Sequence, residues 1–295
     1  MTTIGAIEAG GTKFVLAIAD ADGQLLDRYR IDTREPAATF GEMVDWFEGA
    51  AARHGPLGAF GIGSFGPIGL DRARSDFATF TTTPKPGWRG ASFVDALARF
   101  EAPISIETDV NAAALGEWLA GAGTGCGSLA YTTIGTGIGT GVLKDGRVVA
   151  GWSHYESGHL LVRRDTALDP FEGICPYHGD CLEGLASGPA IAARWGHDLS
   201  HATERQIALI ADYAAQLAVA LVLLHRPERM IFGGGVAKAD GLIDRLRILT
   251  RKHLASYIAE WDEDLTYRIV PPALGDDAGI TGAVELGRRA MEAGR

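Results

Sequence analysis

With 295 residues, 46% of them hydrophobic, the chain can bury one large core or two ordinary ones without covalent staples. Its 37 acidic and 27 basic side chains leave a formal charge of -10, which offers no basic face to nucleic acid. Three cysteines, an odd number, argue against a disulfide framework and for a reducing, cytoplasmic setting.

The opening "MTTIGAIEAGGTK" has no basic region leading into an apolar one, so no secretory signal is expected. "TIGAIEA" (3–9) and "KFVLAIAD" (13–20) predict strands either side of a Gly-Gly turn, and "ADGQ" turns the chain into a third. Apolar residues at helical spacing predict a helix over 39–54. "LGAFGIGSFGPI" (57–68) reads as a strand entering a Gly/Pro loop, 91–100 as a helix, 103–109 as a strand and 110–123 as an Ala-rich helix. From 127, "GSLAYTTIGTGIGTGVLKDGRVVAG" opens a second strand-rich set. Helices over 204–226 and 241–258 follow, parted by Pro227 and a short buried strand in "RMIFGGGV" (229–236), and 278–293 is the last helix. The longest apolar run, "AAQLAVALVLL", is too short to span a bilayer, so no membrane role is expected. Strands at the start, repeated in the middle with helices interleaved, predict an α/β chain of two lobes.

Three glycine stretches stand out. "EAGGTK" puts Gly10, Gly11, Thr12 and Lys13 in a strand–turn–strand after Glu8; its backbone N–H groups suit an anion, though an ordinary hairpin would read the same way. "TTIGTGIGTGVLKDG" places glycines at 135, 137, 139 and 141, more than a plain hairpin needs, which favours a phosphate cradle at Thr136 and Gly137. It is neither a dinucleotide fingerprint nor a Walker A loop, because the spacing fails and no lysine follows a glycine. "FGGGV" (Gly233, Gly234, Gly235) sits between a strand and a helix, where a flat surface suits a purine or merely a tight turn.

Asp109, where a strand passes into a helix, reads as a helix cap or as a carboxylate aimed from a sheet edge. In "ICPYHGDC", Cys175, His178 and Cys181 have the spacing of zinc ligands and lack a fourth; His154 and His159 lie upstream, with Cys126 and Asp180 poorer choices. A Cys175–Cys181 disulfide and an unmetallated loop are the other readings of that stretch.

In order along nearly the whole chain, "GAIEAGGTKF", "GIGSFGPI", "TTPKPGW", "ETDVNAAALGE", "TIGTGIGTG", "ESGH", "CPYHGDCLEGLASGPA" and "FGGGV" resemble the ROK family of sugar kinases, its bacterial fructokinase branch above all. The resemblance implies a two-lobed actin-like ATPase (ribonuclease H-like) fold with the active site in the interlobe cleft. The small lobe would be 1–112 with the returning helix 278–295, and the large lobe 113–277, carrying a zinc loop. It implies transfer of the γ-phosphoryl of MgATP to a hexose 6-hydroxyl, fructose before mannose, glucose or an amino sugar. Asp109 would be the base. Glu8, Gly10, Gly11, Thr12, Lys13, Thr136, Gly137 and Gly233–Gly235 would serve MgATP. Gly66, Pro67, Thr108, Asp109, Glu156, His159 and Glu183 would serve the sugar; Trp88 reads as a further apolar wall or, as a lone Trp more often does, as core or surface packing. His159, in the "ExGH" position, completes a structural Zn²⁺ site with Cys175, His178 and Cys181. A homodimer is expected on the same ground.

Three positions depart from the wider family. Glu8 stands where many relatives have Asp near Mg²⁺, and Thr108 replaces a common Asn, which agrees with the fructokinase branch. His178 stands in place of one family cysteine. A sugar-sensing repressor, the other activity of the family, would need an N-terminal helix-turn-helix, and the phosphate loop begins at residue 8, with no room before it.

Overall fold

Two five-stranded sheets form where the short apolar runs fall, and the central strands are buried almost throughout. The computed structural model describes residues 2–294. One unit comprises the chain up to Leu119, 150–154 and the chain from Asp276; the other comprises Ala120–Val149 and Tyr155–Gly275.

In unit 1, β1 (Thr3–Ala9), β2 (Lys13–Ala19) and β3 (Leu25–Asp32) form an antiparallel meander. After α1 (Pro36–His54), β4 (Leu57–Ser64) joins β1 in parallel, and β5 (Ile104–Thr108) joins β4. The segment read as a helix over 91–100 contains only a short α2 (Phe93–Leu97) and a 3-10 turn, ended by Glu101 at φ 51°. α3 (Asp109–Ala120) follows β5 directly.

Unit 2 repeats the plan. β6 (Ser128–Ile134), β7 (Ile138–Lys144) and β8 (Arg147–Val148) form the meander. After α4 (Leu182–Ala186), α5 (Gly188–Trp195) and α6 (Glu204–His225), β9 (Arg229–Gly233) joins β6 in parallel. α7 (Leu242–Leu254) precedes β10 (Ile269–Val270), and α8 (Ala278–Ala293) returns to unit 1. The strand orders β3-β2-β1-β4-β5 and β10-β9-β6-β7-β8 are the same series, read from opposite ends.

The sheet of unit 1 is buried on both faces. Ile7, Phe14, Leu16 and Ile18 face the side of α1, while Ile4, Ala6, Val15 and Ala17 face Ile280, Ala283 and Val284 of α8. Each large apolar side chain sealed this way contributes about 1.5–3 kcal/mol. α8 seats backbone against backbone: a Cβ on Gly282 would stand 1.8 Å from the Ala112 carbonyl oxygen, and one on Gly61 1.9 Å from that of Ala283. Only glycine permits that approach.

Of the two readings of Trp88 the core one holds: it is fully buried among Phe14, Phe40, Phe65 and Phe80, and its Nε1 donates to the Arg34 carbonyl at 3.0 Å. One expectation needs correction. The apolar run read as too short belongs to the 22-residue α6, which is long and apolar enough to cross a membrane by length and composition. A reciprocal Thr203–Gln206 cap begins that helix, and Ile210, Ala214, Leu217 and Leu221 sink into the core of unit 2.

Candidate active site

Unit 1 contributes a turn and three carboxylates. In the β1–β2 turn the Gly10 N–H donates to the Lys13 carbonyl at 2.9 Å. The Gly10 carbonyl accepts the Thr33 hydroxyl at 2.8 Å, that of Gly11 accepts Lys85 Nζ at 2.6 Å, and that of Thr12 accepts the Thr33 N–H at 2.9 Å. With these carbonyls tied to the unit's own donors, the N–H side of the exposed Gly11–Thr12 tip suits an anion. Lys85 lies in the "TTPKPGW" motif, but its contact with the Gly10–Thr12 turn was not read from it.

Strand alternation places Glu8 on the same face as Ile4 and Ala6, toward the start of α8, where its carboxyl fills the space a Gly279 side chain would need (2.6 Å). Burial, then the neighbouring Asp109 and Asp276 against the opposing pull of Lys13 and Arg28, pushes its pKa up to about 7. Its Oε2 is sealed from solvent and has no hydrogen-bond partner among the described residues. Glu8 thus presents a buried, unpartnered carboxylate oxygen under the electrostatic influence of two further carboxylates. Asp276 comes from the far end of the chain; the run "GDDAG" before α8 was its only signal.

Asp109 is the first residue of α3, and Thr108 takes the capping role: its hydroxyl accepts the Asn111 N–H at 3.2 Å. Asp109 Oδ1 accepts the Val110 N–H at 2.8 Å, so its carboxylate is held at a helix N-terminus. Gly66 and Pro67 follow β4, joined by a cis peptide bond, and the Gly66 Cβ position lies 3.8 Å from the His154 ring.

The corresponding turn in unit 2 is built differently. The Gly135 N–H donates to the Gly137 carbonyl at 2.9 Å, leaving Thr136 at the exposed tip, and the Gly188 N–H donates to the Gly135 carbonyl at 2.7 Å, tying the turn to α5. Glu183 Oε2 accepts the Ile138 N–H at 2.8 Å and occupies the room a Gly137 side chain would take. Glu183, expected at the sugar, is thus also a brace for the glycine turn. Gly233 ends β9; a Cβ on Gly234 would stand 2.4 Å from the Ile134 carbonyl oxygen, whereas Gly235 faces open space.

Four metal-ligating side chains converge next to this turn. Cys175 Sγ lies 3.7 Å from His159 Nδ1 and 3.7 Å from His178 Nδ1, and Cys181 Sγ lies 3.6 Å from His159 Nδ1. A tetrahedral zinc with ordinary Zn–S and Zn–N bonds separates such atoms by about 3.6 Å. Cys175 and Gly179 bridge in a tight hairpin, with Gly179 at φ 64°, and Cys181 stands at the start of α4. Burial and the nearby Cys175 thiol raise the Cys181 thiol to about 11 in the metal-free protein, and no cysteine is paired in a disulfide. The alternatives fall elsewhere: His154 lies by Gly66, Cys126 near Arg229 and Glu228, and Asp180 pairs with Arg164 at 3.1 Å. His159 closes the turn opened by the exposed Glu156, and Gly158 between them is pressed against the Ile138 carbonyl, where a Cβ would lie 2.2 Å away.

A meander with two parallel additions, occurring twice and carrying a glycine turn after the first strand each time, defines an actin-like ATPase fold. The ROK family model matches residues 4–290, and the chain belongs to that family. A fructokinase from Zymomonas mobilis is 43% identical over 288 residues, covering 96% of this chain and 95% of that protein. A fructokinase from Pediococcus pentosaceus is 39% identical over 295 residues, covering 98% and 99%. The crystal structure of a ROK hexokinase from Thermus thermophilus superposes with a TM-score of 0.81 at 26% identity, covering 99% of this chain and all of that one.

Proposed function

We propose that this chain is a cytoplasmic, ATP-dependent hexose kinase that phosphorylates D-fructose on its 6-hydroxyl to give fructose 6-phosphate. One observation carries the reading: with Thr108 as the cap, Asp109 stands at the head of α3, its Oδ1 accepting the Val110 N–H and its carboxylate near enough to Glu8 to raise that group's pKa. The 43% identity to a fructokinase over 96% of the chain supports fructose as acceptor.

In this reading Asp109 accepts the proton of the sugar hydroxyl as its oxygen attacks the γ-phosphorus, and ADP leaves. The N–H groups of Gly11, Thr12 and the Thr136–Gly137 turn hold ATP phosphates, with Lys13 adding positive charge. Gly233–Gly235 offer a flat face to the adenosine. Glu8, with Asp276 beside it, would hold Mg²⁺, through water where the reach is long; the ion neutralises phosphate charge. Gly66, Pro67, Thr108, Glu156, His159 and Glu183 orient the sugar hydroxyls.

His159, Cys175, His178 and Cys181 would hold a structural Zn²⁺, four protein ligands leaving no open position for catalysis. Its task is to fix the Glu156–His159 turn and the start of α4, which bears Glu183. A homodimer is proposed on family resemblance. Phosphorus and carbon NMR of the product made from fructose and MgATP should show phosphate on C6; a 1-phosphate, or no product, would overturn the assignment.

A further inference from the structure

Unit 2 contains a cavity of about 870 Å³ lined by residues 163–171, the end of α5 and the first half of α6. It includes none of the hexose, nucleotide or zinc residues named above, and no part of the kinase reading bears on it. Its volume is that of a small-molecule pocket. Phe171, Trp195, Leu168 and Leu209 give it an apolar lining, and three arginines, Arg163, Arg194 and Arg205, face three carboxylates, Asp165, Asp169 and Asp212.

The charges balance in number but not in engagement. Asp169 accepts the Tyr213 hydroxyl at 2.6 Å and pairs with Arg194 Nη2 at 3.1 Å. Asp212 is bonded to His253 at 2.8 Å and to Gln216 at 3.3 Å, and Asp165 accepts the Ala167 N–H at 2.9 Å. Donors, by contrast, are in surplus. The Arg194 side chain is only 5% exposed, packed against the Phe171 and Trp195 rings. Its Nε, Nη1 and Nη2 have no hydrogen-bond acceptor among the described residues, the Asp169 contact being an ion pair without hydrogen-bond geometry. The Asp169 carboxylate and the Phe171, Trp195 and Tyr213 ring faces are what offset its lost hydration. The guanidinium groups of Arg163 and Arg205 make no ion pair or hydrogen bond among the described residues. The wall is fixed in advance: Arg164 Nη1 donates to the Phe171 carbonyl at 2.6 Å, and its Nη2 pairs with Asp180.

We propose that this cavity binds a small organic oxyanion, a carboxylate or phosphate monoester carried on an aromatic or apolar body. The body packs on Phe171, Trp195 and Leu209, and the oxyanion takes Arg163 and Arg205 at the mouth, in front of the buried Arg194–Asp169 pair.

The test is calorimetric titration of the full chain, with fructose, Mg²⁺ and a non-hydrolysable ATP analogue saturating the kinase site. Phenyl phosphate, benzoate and benzyl alcohol are the probes. At least one of the two anions should bind with a millimolar or tighter Kd, and benzyl alcohol should bind more weakly. The exposed pair Arg163→Gln/Arg205→Gln should weaken the anion roughly tenfold while leaving benzyl alcohol and kinase turnover unchanged. Arg194→Met probes the sealed group; should it fail to fold, the exposed pair still decides. Quenching of tryptophan fluorescence by the bound anion should disappear in Trp195→Phe. Absence of binding by both anions, equal binding by the double variant, or benzyl alcohol binding as tightly as the anions would each overturn the proposal. The preferred anion separates carboxylate from phosphate as the source.

Discussion

The two units fold one plan twice and equip it differently. Each has a meander, a glycine turn after its first strand and two parallel additions. In unit 1 that turn is Gly10-Gly11-Thr12 followed by Lys13, and the neighbouring acids Glu8, Asp109 and Asp276 come from β1, α3 and the approach to α8. In unit 2 the same turn has no charged residue within it and is braced by Glu183 from α4 and the backbone of Gly188. The acid-bearing half is proposed to hold the base, and the braced half the fixed walls, one of them clamped by metal. A duplicated scaffold supplies two strand-end turns, and what is grafted onto them sets the chemistry.

The comparison can be broken first at Asp109. Asp109→Asn should retain fold and ATP affinity and lose about 10³-fold in kcat, measured by coupled ADP release beside nucleotide titration. A comparable loss from Glu183→Gln would erase the distinction between base and brace.

Next in size is the clamp. Protein purified without a metal-affinity tag should carry one zinc per chain by elemental analysis. Cys181→Ser should lose it and lower the thermal midpoint by several degrees, raising KM for sugar more than it lowers kcat. Fully active, zinc-free wild-type protein would remove the clamp from the account.

The seat of α8 is specific to unit 1. Gly282→Ala should cost about 1–3 kcal/mol in urea unfolding, because its Cβ would stand 1.8 Å from a carbonyl oxygen that belongs to the backbone. Gly196→Ala, on an open left-handed turn in unit 2, should cost less.

The most diagnostic is the pH response of Glu8. Its folded pKa of about 7 lies above the ordinary value of 4.5, so the folded state holds its proton longer than the unfolded state. Stability from this group is therefore full below about pH 4.5, declines as pH rises to about 7 and is level beyond, a loss of at most about 3 kcal/mol. Glu8→Gln should flatten that segment of the curve measured by urea unfolding; an unchanged slope would place the cause elsewhere.

Much of the fold was legible because short apolar runs such as "TIGAIEA" and "KFVLAIAD", bounded by glycines that mark the turns, have the length and setting of strands buried on both faces. The two-residue strands Arg147–Val148 and Ile269–Val270 were not, since pairing rather than local pattern makes them. His159, Cys175, His178 and Cys181 could be grouped in advance because three share one hairpin and the fourth carries a motif. The partners of Asp276 and Lys85 could not: these residues meet Glu8 and Gly11 only after long returns of the chain, and nothing in their local motifs names that contact. The cavity beside Arg194 was equally silent in sequence, for its lining is an interleaving of three segments.

The central claim is settled most directly by coupled ADP release with MgATP across fructose, mannose, glucose and the common amino sugars. The account predicts the highest kcat/KM on fructose. A higher value on another hexose would contradict the assigned acceptor, and no turnover on any hexose would contradict the kinase itself.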